Sequence, residues 1–246
     1  MNAILLAAGY GTRLYPLTRD KAKPLLEVGG RPLIDHLIEQ VESVAEIERL
    51  LLVSNVRFVE DFEEWAADRS FPVPLEIFND GSTCNEDRRG AVRDIQFAVE
   101  QGDAAGQPAY VLATDNLPRF DLADIVDLHR QKGASAVFAC PEDEERLKRS
   151  GVAELDEEGR IVAFEEKPEQ PRGRHRVPPF YMYTAAAVDA IGTFLEEGNN
   201  PDAPGHLLAW LVDRLPVYAL TRPEGTYDIG TLESYRLVCR EFPDRE

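Results

Sequence analysis

Two glycines directly behind an apolar run are the first residues in the chain whose spacing could do chemistry. The run Ala3 to Ala8 empties into Gly9-Tyr10-Gly11-Thr12-Arg13-Leu14, and Lys23-Pro24-Leu25-Leu26 adds a basic turn soon after. Bare backbone behind a buried first strand lets N–H groups close on a phosphate, the usual anion site of a parallel α/β sheet. Two familiar phosphate loops fail by spacing. A dinucleotide fingerprint needs a third glycine where Leu14 stands, and a P-loop needs Gly-Lys-Ser/Thr. For two glycines alone, a structural turn is an equal reading. Asp115 follows the apolar segment Tyr110 to Ala113, at a strand end where such sheets bind ligands, with a helix N-cap as its competing role. Asp228 stands in a second polar turn near the end of the chain. The histidines His36, His129, His175 and His206 each stand alone, so packing or surface roles are expected of all four.

Strands alternating with helices must position these groups. Residues 3 to 8 read as a parallel strand buried on both faces, and Leu33, Ile34, Leu37, Ile38, Val41 and Val44 recur at helical spacing. Strand 50 to 53 follows, then a helix near 57 to 68, a strand near 74 to 78 and a helix near 86 to 100. Next come a strand at 109 to 113, a helix near 121 to 132 and a strand at 135 to 140. This alternation predicts an α/β fold with a doubly wound sheet. After Pro141 an acidic stretch leads to strand-like segments at 151 to 155, 160 to 165 and 177 to 183, which predict a mixed sheet with an inserted or antiparallel portion. Segments 167 to 179 and 198 to 205 read as exposed loops.

Composition narrows the partners. The 246 residues suit a single domain, and no apolar run approaches the roughly 20 residues of a membrane span. The first apolar run has no cationic leader, so a cytoplasmic location is expected. Three distant cysteines, Cys84, Cys140 and Cys239, argue against a disulfide framework and predict reduced, partly buried thiols. A net charge of −18 argues against nucleic acid as a partner. It also requires a local positive pocket for any anionic ligand. With 22 arginines to five lysines, the acidic surface suits a salt-rich cytoplasm.

The string Leu6-Ala7-Ala8-Gly9-x-Gly11-Thr12-Arg13-Leu14-x-Pro16-Leu17-Thr18, closing on Lys23-Pro24-Leu25-Leu26, resembles the signature of the sugar-phosphate nucleotidyltransferases. These are the glucose-1-phosphate thymidylyl- and uridylyltransferases and their kin. The resemblance continues in order through Thr114-Asp115-Asn116, Gly151 to Asp156, Phe164-Glu165-Glu166-Lys167-Pro168 and Tyr227-Asp228-Ile229-Gly230-Thr231. It implies a Rossmann-like mixed sheet of the nucleotide-diphospho-sugar transferase type, one domain over residues 1–246. The implied reaction is attack by a sugar 1-phosphate on the α-phosphorus of a nucleoside triphosphate, with pyrophosphate leaving. That nucleophile is ionised at neutral pH, so no Ser-His pair is needed. By the same resemblance Asp115 and Asp228 hold Mg²⁺, Arg13 reaches the β- and γ-phosphates, and Lys23 and Lys167 hold the attacking phosphate and the charge developing at phosphorus. Leu6, Ala8, Gly9, Gly11 and Thr12 line the nucleotide. Glu166 accepts hydrogen bonds from sugar hydroxyls, Gly151 gives close backbone approach and Asn116 adds a further polar contact, while Tyr181 either faces the sugar or is, equally, a half-buried packing residue. Such proteins often assemble as dimers or tetramers.

Two segments depart from the family pattern. The base-contacting stretch reads Asn79 to Ala91 without the usual Gln, leaving Asn85 and Gly90 as candidates for the base edge, with Asn85 or Asp87 as a helix cap in the competing reading. On the sugar side, Val177-Pro178-Pro179-Phe180-Tyr181 replaces smaller residues. The expected substrates are dTTP or UTP and a hexose 1-phosphate. The rivals are a cytidylyltransferase for a phosphorylated alcohol and a non-catalytic nucleotide-sugar sensor.

Overall fold

Strand β1 (Asn2–Leu6) shows how the sequence builds the core. Its side chains alternate between two apolar clusters, Ile4 on one face and Ala3 and Leu5 on the other, so a continuous apolar run satisfies both. The structure, a computed structural model, describes residues 1–67 and 69–242. After β1 the chain forms two short 3₁₀ turns, Thr12–Leu14 and Lys23–Leu25, and the hairpin β2 (Glu27–Val28) and β3 (Arg31–Pro32). Then follow α1 (Leu33–Val41), β4 (Arg49–Ser54), α2 (Val59–Ala67), β5 (Leu75–Asn79), α3 (Ala91–Gln101) and β6 (Ala109–Ala113). The second half holds β7 (Asn116–Pro118), α4 (Leu122–Lys132), β8 (Ser135–Pro141), α5 (Glu144–Leu147), β9 (Gly151–Leu155), β10 (Ile161–Glu166), β11 (His175–Val177) and β12 (Phe180–Tyr183). Helices α6 (Ala185–Glu196) and α7 (Pro204–Val212), strands β13 (Val217–Thr221) and β14 (Thr226–Asp228), and α8 (Leu232–Glu241) complete it.

The central sheet runs β5-β4-β1-β6-β12-β8-β13, parallel except for β12, which is antiparallel to both neighbours. Helices α1, α2 and α4 cover one face, and α3, α6 and α7 the other. The doubly wound α/β expectation holds. The antiparallel portion is an annex, β10-β9-β11, joined to the end of β8 through β11. Pro178 and Pro179 split the expected strand 177 to 183, so that β11 serves the annex and β12 the central sheet.

Helix α3 begins at Ala91, later than the expected 86, because Asp87 folds residues 83 to 87 into a turn. Its carboxylate accepts from the Thr83 and Cys84 backbone N–H groups and from the Thr83 hydroxyl. Neither Asn85 nor Asp87 caps the helix, whose N-cap is Gly90 without a side-chain bond. Asp68, at the end of the expected second helix, lies outside the described residues. Cys140 is buried, but Cys84 is exposed, contrary to expectation, because that turn stands clear of the core. Among the described residues no helix is long and apolar enough to cross a membrane.

Candidate active site

The site is assembled at the C-terminal ends of β1 and β6. Beyond β1, Gly11 takes a left-handed conformation with φ of 59°, and its carbonyl accepts from the buried Thr18 hydroxyl at 2.7 Å. A side chain there would press on Thr18 at 3.1 Å, which fixes the need for glycine. The turn lifts Arg13 into solvent, where it forms no ion pair among the described residues. Gly9 is exposed, with open space where a Cβ would be, so its bare backbone faces the cleft.

Beyond β6 stands Asp115. The neighbouring β7 pairs antiparallel with β14, and their register sets Asn116 opposite Asp228, bringing the second carboxylate beside the first although 113 residues separate them. Lys23, only 7% exposed, donates to Asp115 Oδ2 at 2.8 Å, and the Asn116 amide donates to Oδ1 at 2.7 Å. The protein crowded around Asp115 pushes its carboxyl up, but the Lys23 ammonium and these hydrogen bonds outweigh that and hold it below the ordinary value. Asp228 moves the other way. Crowding, then the negative charge of Asp115, raise its carboxyl, with Lys23, Arg176 and Arg13 pulling back. Two adjacent carboxylates of which one resists ionisation form a site short of positive charge.

Two cavities meet at Asp115. One, of roughly 330 Å³, is lined by Leu6, Gly9, Gly11, Thr12, Arg13, Lys23, Asn85, Arg88, Thr114 and Gly230, among others. The other, of roughly 180 Å³, is lined by Asp228, Asn116, Arg149, Gly151, Glu166, Lys167, Arg176, Tyr181 and Gly205, among others. In the second cavity the Glu166 side chain is 10% exposed, and burial raises its carboxyl despite Lys167 at 3.6 Å and the charge of His206. Gly151 and Gly205 leave room for it: a Cβ on Gly205 would lie 1.9 Å from Glu166 Oε2. Lys167 turns out of β10 with a φ of 49°, uncommon for a residue with a side chain, and is held by its N–H donating to the Ser150 carbonyl at 3.0 Å.

Most of the residues singled out from sequence come together here. Two do not line either cavity. Ala8 is buried, its carbonyl accepting from the Asn55 amide at 2.8 Å. Gly90 packs against the 201–202 backbone, where a Cβ would stand 2.7 Å from the Pro201 oxygen. Asn116 turns its amide toward Asp115, and Tyr181 is buried in the wall of the second cavity. Sequence reading missed Arg88, Arg149 and Arg176. Arg176 alone carried a signal, a charged residue at the head of an apolar strand segment.

The chain belongs to the nucleotidyl transferase family, whose model matches residues 2–244. It is 29% identical over 255 residues to a UTP–glucose-1-phosphate uridylyltransferase of Synechocystis, an alignment covering 100% of this chain and 64% of that one. It is 27% identical over 255 residues to mannose-1-phosphate guanylyltransferase 1 of Arabidopsis thaliana, covering 99% and 65%. The chain thus spans slightly under two-thirds of the length of these relatives. A UDP-glucose pyrophosphorylase solved with UDP-glucose shares the fold, with a TM-score of 0.82 at 21% identity, covering 98% of this chain and 97% of that one.

Proposed function

We propose that this protein transfers a nucleotidyl group from a nucleoside triphosphate, dTTP or UTP, to a hexose 1-phosphate, giving a nucleotide sugar and pyrophosphate. The observation that carries the reading is the meeting of two cavities at Asp115, one walled by a glycine turn and Arg13, the other by Glu166 and Lys167. Membership of the nucleotidyl transferase family supports it. Unpaired cysteines suit action in the reducing cytoplasm.

Each side chain then has a task. Backbone N–H groups from Gly9 to Thr12 and the Arg13 guanidinium hold the triphosphate, and Arg13 stays with the departing pyrophosphate. Lys23, fixed by Asp115, faces the phosphorus under attack, and Lys167 holds the incoming sugar phosphate. Glu166 accepts hydrogen bonds from sugar hydroxyls, and Asn85 and Arg88 stand where a base would enter. Asp115 and Asp228 suit Mg²⁺, which is commonly held by one or two carboxylates together with substrate phosphates. When bound there, Mg²⁺ supplies charge neutralisation at the phosphates. The attacking phosphate is already ionised, so none of these residues needs to remove a proton.

The test is pyrophosphate release with Mg²⁺, each nucleoside triphosphate in turn, and a panel of sugar 1-phosphates plus phosphocholine. Release with dTTP or UTP and a hexose 1-phosphate is expected. Release with CTP and phosphocholine alone, or none with any pair, overturns the proposal. Asp115→Asn should lower turnover by about two orders of magnitude or more, as loss of charge at a phosphoryl-transfer centre does. It also leaves the buried Lys23 ammonium without its counter-ion, so the melting temperature should fall. Adding Lys23→Met should restore stability without restoring activity.

A further inference from the structure

Strand β11 places Arg176 beside β8, its side chain 9% exposed, with Nε 3.4 Å from Glu142 Oε2. Its Nη2 donates to Thr226 Oγ1 at 3.0 Å. Gly225 allows the approach, since a Cβ there would sit 3.2 Å from Nη2. Thr226 Oγ1 in turn donates to Asn116 Oδ1 at 3.3 Å, and Asn116 Nδ2 donates to Asp115 Oδ1 at 2.7 Å.

The direction of every bond in this chain is set by its ends. A guanidinium only donates and a carboxylate only accepts. Thr226, having accepted from Arg176, has its single proton left for the Asn116 carbonyl. The Asn116 amide must then present its NH₂ to Asp115. With Lys23 holding the other oxygen, the Asp115 carboxylate is fixed from both sides before any ligand arrives. Asp115 alone would still draw the Asn116 NH₂ toward it, but without the guanidinium at position 176 the Thr226 hydroxyl loses the bond that anchors it, and Asn116 is held from one end only.

We propose that Arg176 is a positioning residue: through Thr226 and Asn116 it fixes the orientation of the Asp115 carboxylate that faces the phosphates and metal. The inference rests on the reading of Asp115 as a metal carboxylate given above. Arg176 acts from the sugar side of the cleft and so joins the two cavities mechanically.

Thr226→Val tests it with little change of shape and leaves the Arg176–Glu142 pair in place. Two measurements on the full chain decide the matter. One is the Mg²⁺ concentration for half-maximal pyrophosphate release, with kcat and the sugar-phosphate KM. The other is the solvent exchange of the Asn116 side-chain amide protons by NMR without metal or substrate, assigned by their loss in Asn116→Asp. Thr226→Val should raise the Mg²⁺ requirement about tenfold, the low end of what outer partners of metal ligands contribute. It should lower kcat with the sugar-phosphate KM unchanged, and speed exchange of the Asn116 amide. Thr226→Ser should restore all three. Arg176→Leu with Thr226→Val should be no worse than the worse single variant, because both cut one chain. Unchanged Mg²⁺ dependence and amide exchange in Thr226→Val, or additive effects in the double variant, overturn the inference while leaving Asp115 in its role. Normal turnover of Asp115→Asn overturns both readings.

Discussion

Helix α3 buries Asp94 to 7% exposure, and its Oδ1 has no hydrogen-bond partner among the described residues. Burial first, then the charge of Asp80, raise its carboxyl to about 7, with Arg89 pulling back. In the unfolded chain an aspartate titrates near 4, so between about pH 4 and 7 the folded state binds the proton that the unfolded state has released. Stability from this group therefore falls as pH rises through that window, and its full cost is reached above about pH 7. A shift of this size corresponds to about 4 kcal/mol as an upper bound. Asp94→Asn imitates the protonated form. Its melting temperature should exceed that of the parent at pH 8, and the gap should close as pH falls toward 4. A gap independent of pH would mean that Asp94 ionises normally in the folded protein.

At the scale of elements, two glycines packed on neighbouring segments should respond in opposite ways. Gly205, in the first turn of α7, lies under the Glu166 carboxylate, and an added Cβ would meet Oε2 at 1.9 Å. The obstacle is the end of a flexible side chain, so Gly205→Ala should keep the fold and push Glu166 out of the second cavity. The sugar-phosphate KM should rise by about tenfold, the cost of one charged hydrogen bond, with the melting temperature within about 2 °C of the parent. Gly90 combines a φ of 91° with backbone at 2.7 Å, so neither the residue nor its neighbour can yield. Gly90→Ala should lower the melting temperature by several degrees, through strain of about 1–3 kcal/mol. Thermal melts and steady-state kinetics on both variants read the contrast directly.

The same elements show what was legible in the sequence. Strands buried on both faces announce themselves as unbroken apolar runs, so β1, β4, β6 and β8 fall where periodicity puts them. The β7/β14 ribbon does not, because three-residue strands have no measurable period. Yet its register is what carries Asp228 to Asp115. The location of the site was legible from motif residues at strand ends, which line the two cavities. Arg176 stood out only as a charge at the head of an apolar segment, and the roles of Arg176 and Thr226 were not legible, because they lie in a chain of contacts between segments 50 residues apart. Gly90 looked like a backbone window for a base, but a close contact from the loop before α7 gives it a packing role.

Over the whole molecule the net charge of −18 sets the response to salt. Two opposed effects are screened together. Ion pairs such as Arg57–Asp20, Arg88–Asp202 and Arg222–Asp124 are largely exposed and worth at most about 1 kcal/mol each, and salt weakens them. The surplus carboxylates repel one another over longer distances, and salt relieves that repulsion as the screening length shortens from about 10 Å at 0.1 M to about 3 Å at 1 M. The lysines add little, since Lys23 is buried against Asp115 and Lys148 is shared between Glu144 and Glu145. With 45 acidic residues against 27 basic ones, relief of repulsion should outweigh the loss of pairs. Raising KCl from 0.05 to 1 M should therefore raise the melting temperature, by about 2–4 °C for each kcal/mol recovered in a chain of this size. The rise should be larger at pH 8 than at pH 5, where part of the surplus is protonated. A flat or falling melting temperature at pH 8 would show that the exposed pairs carry more stability than the surplus removes, and would reject the acidic surface as an adaptation to salt.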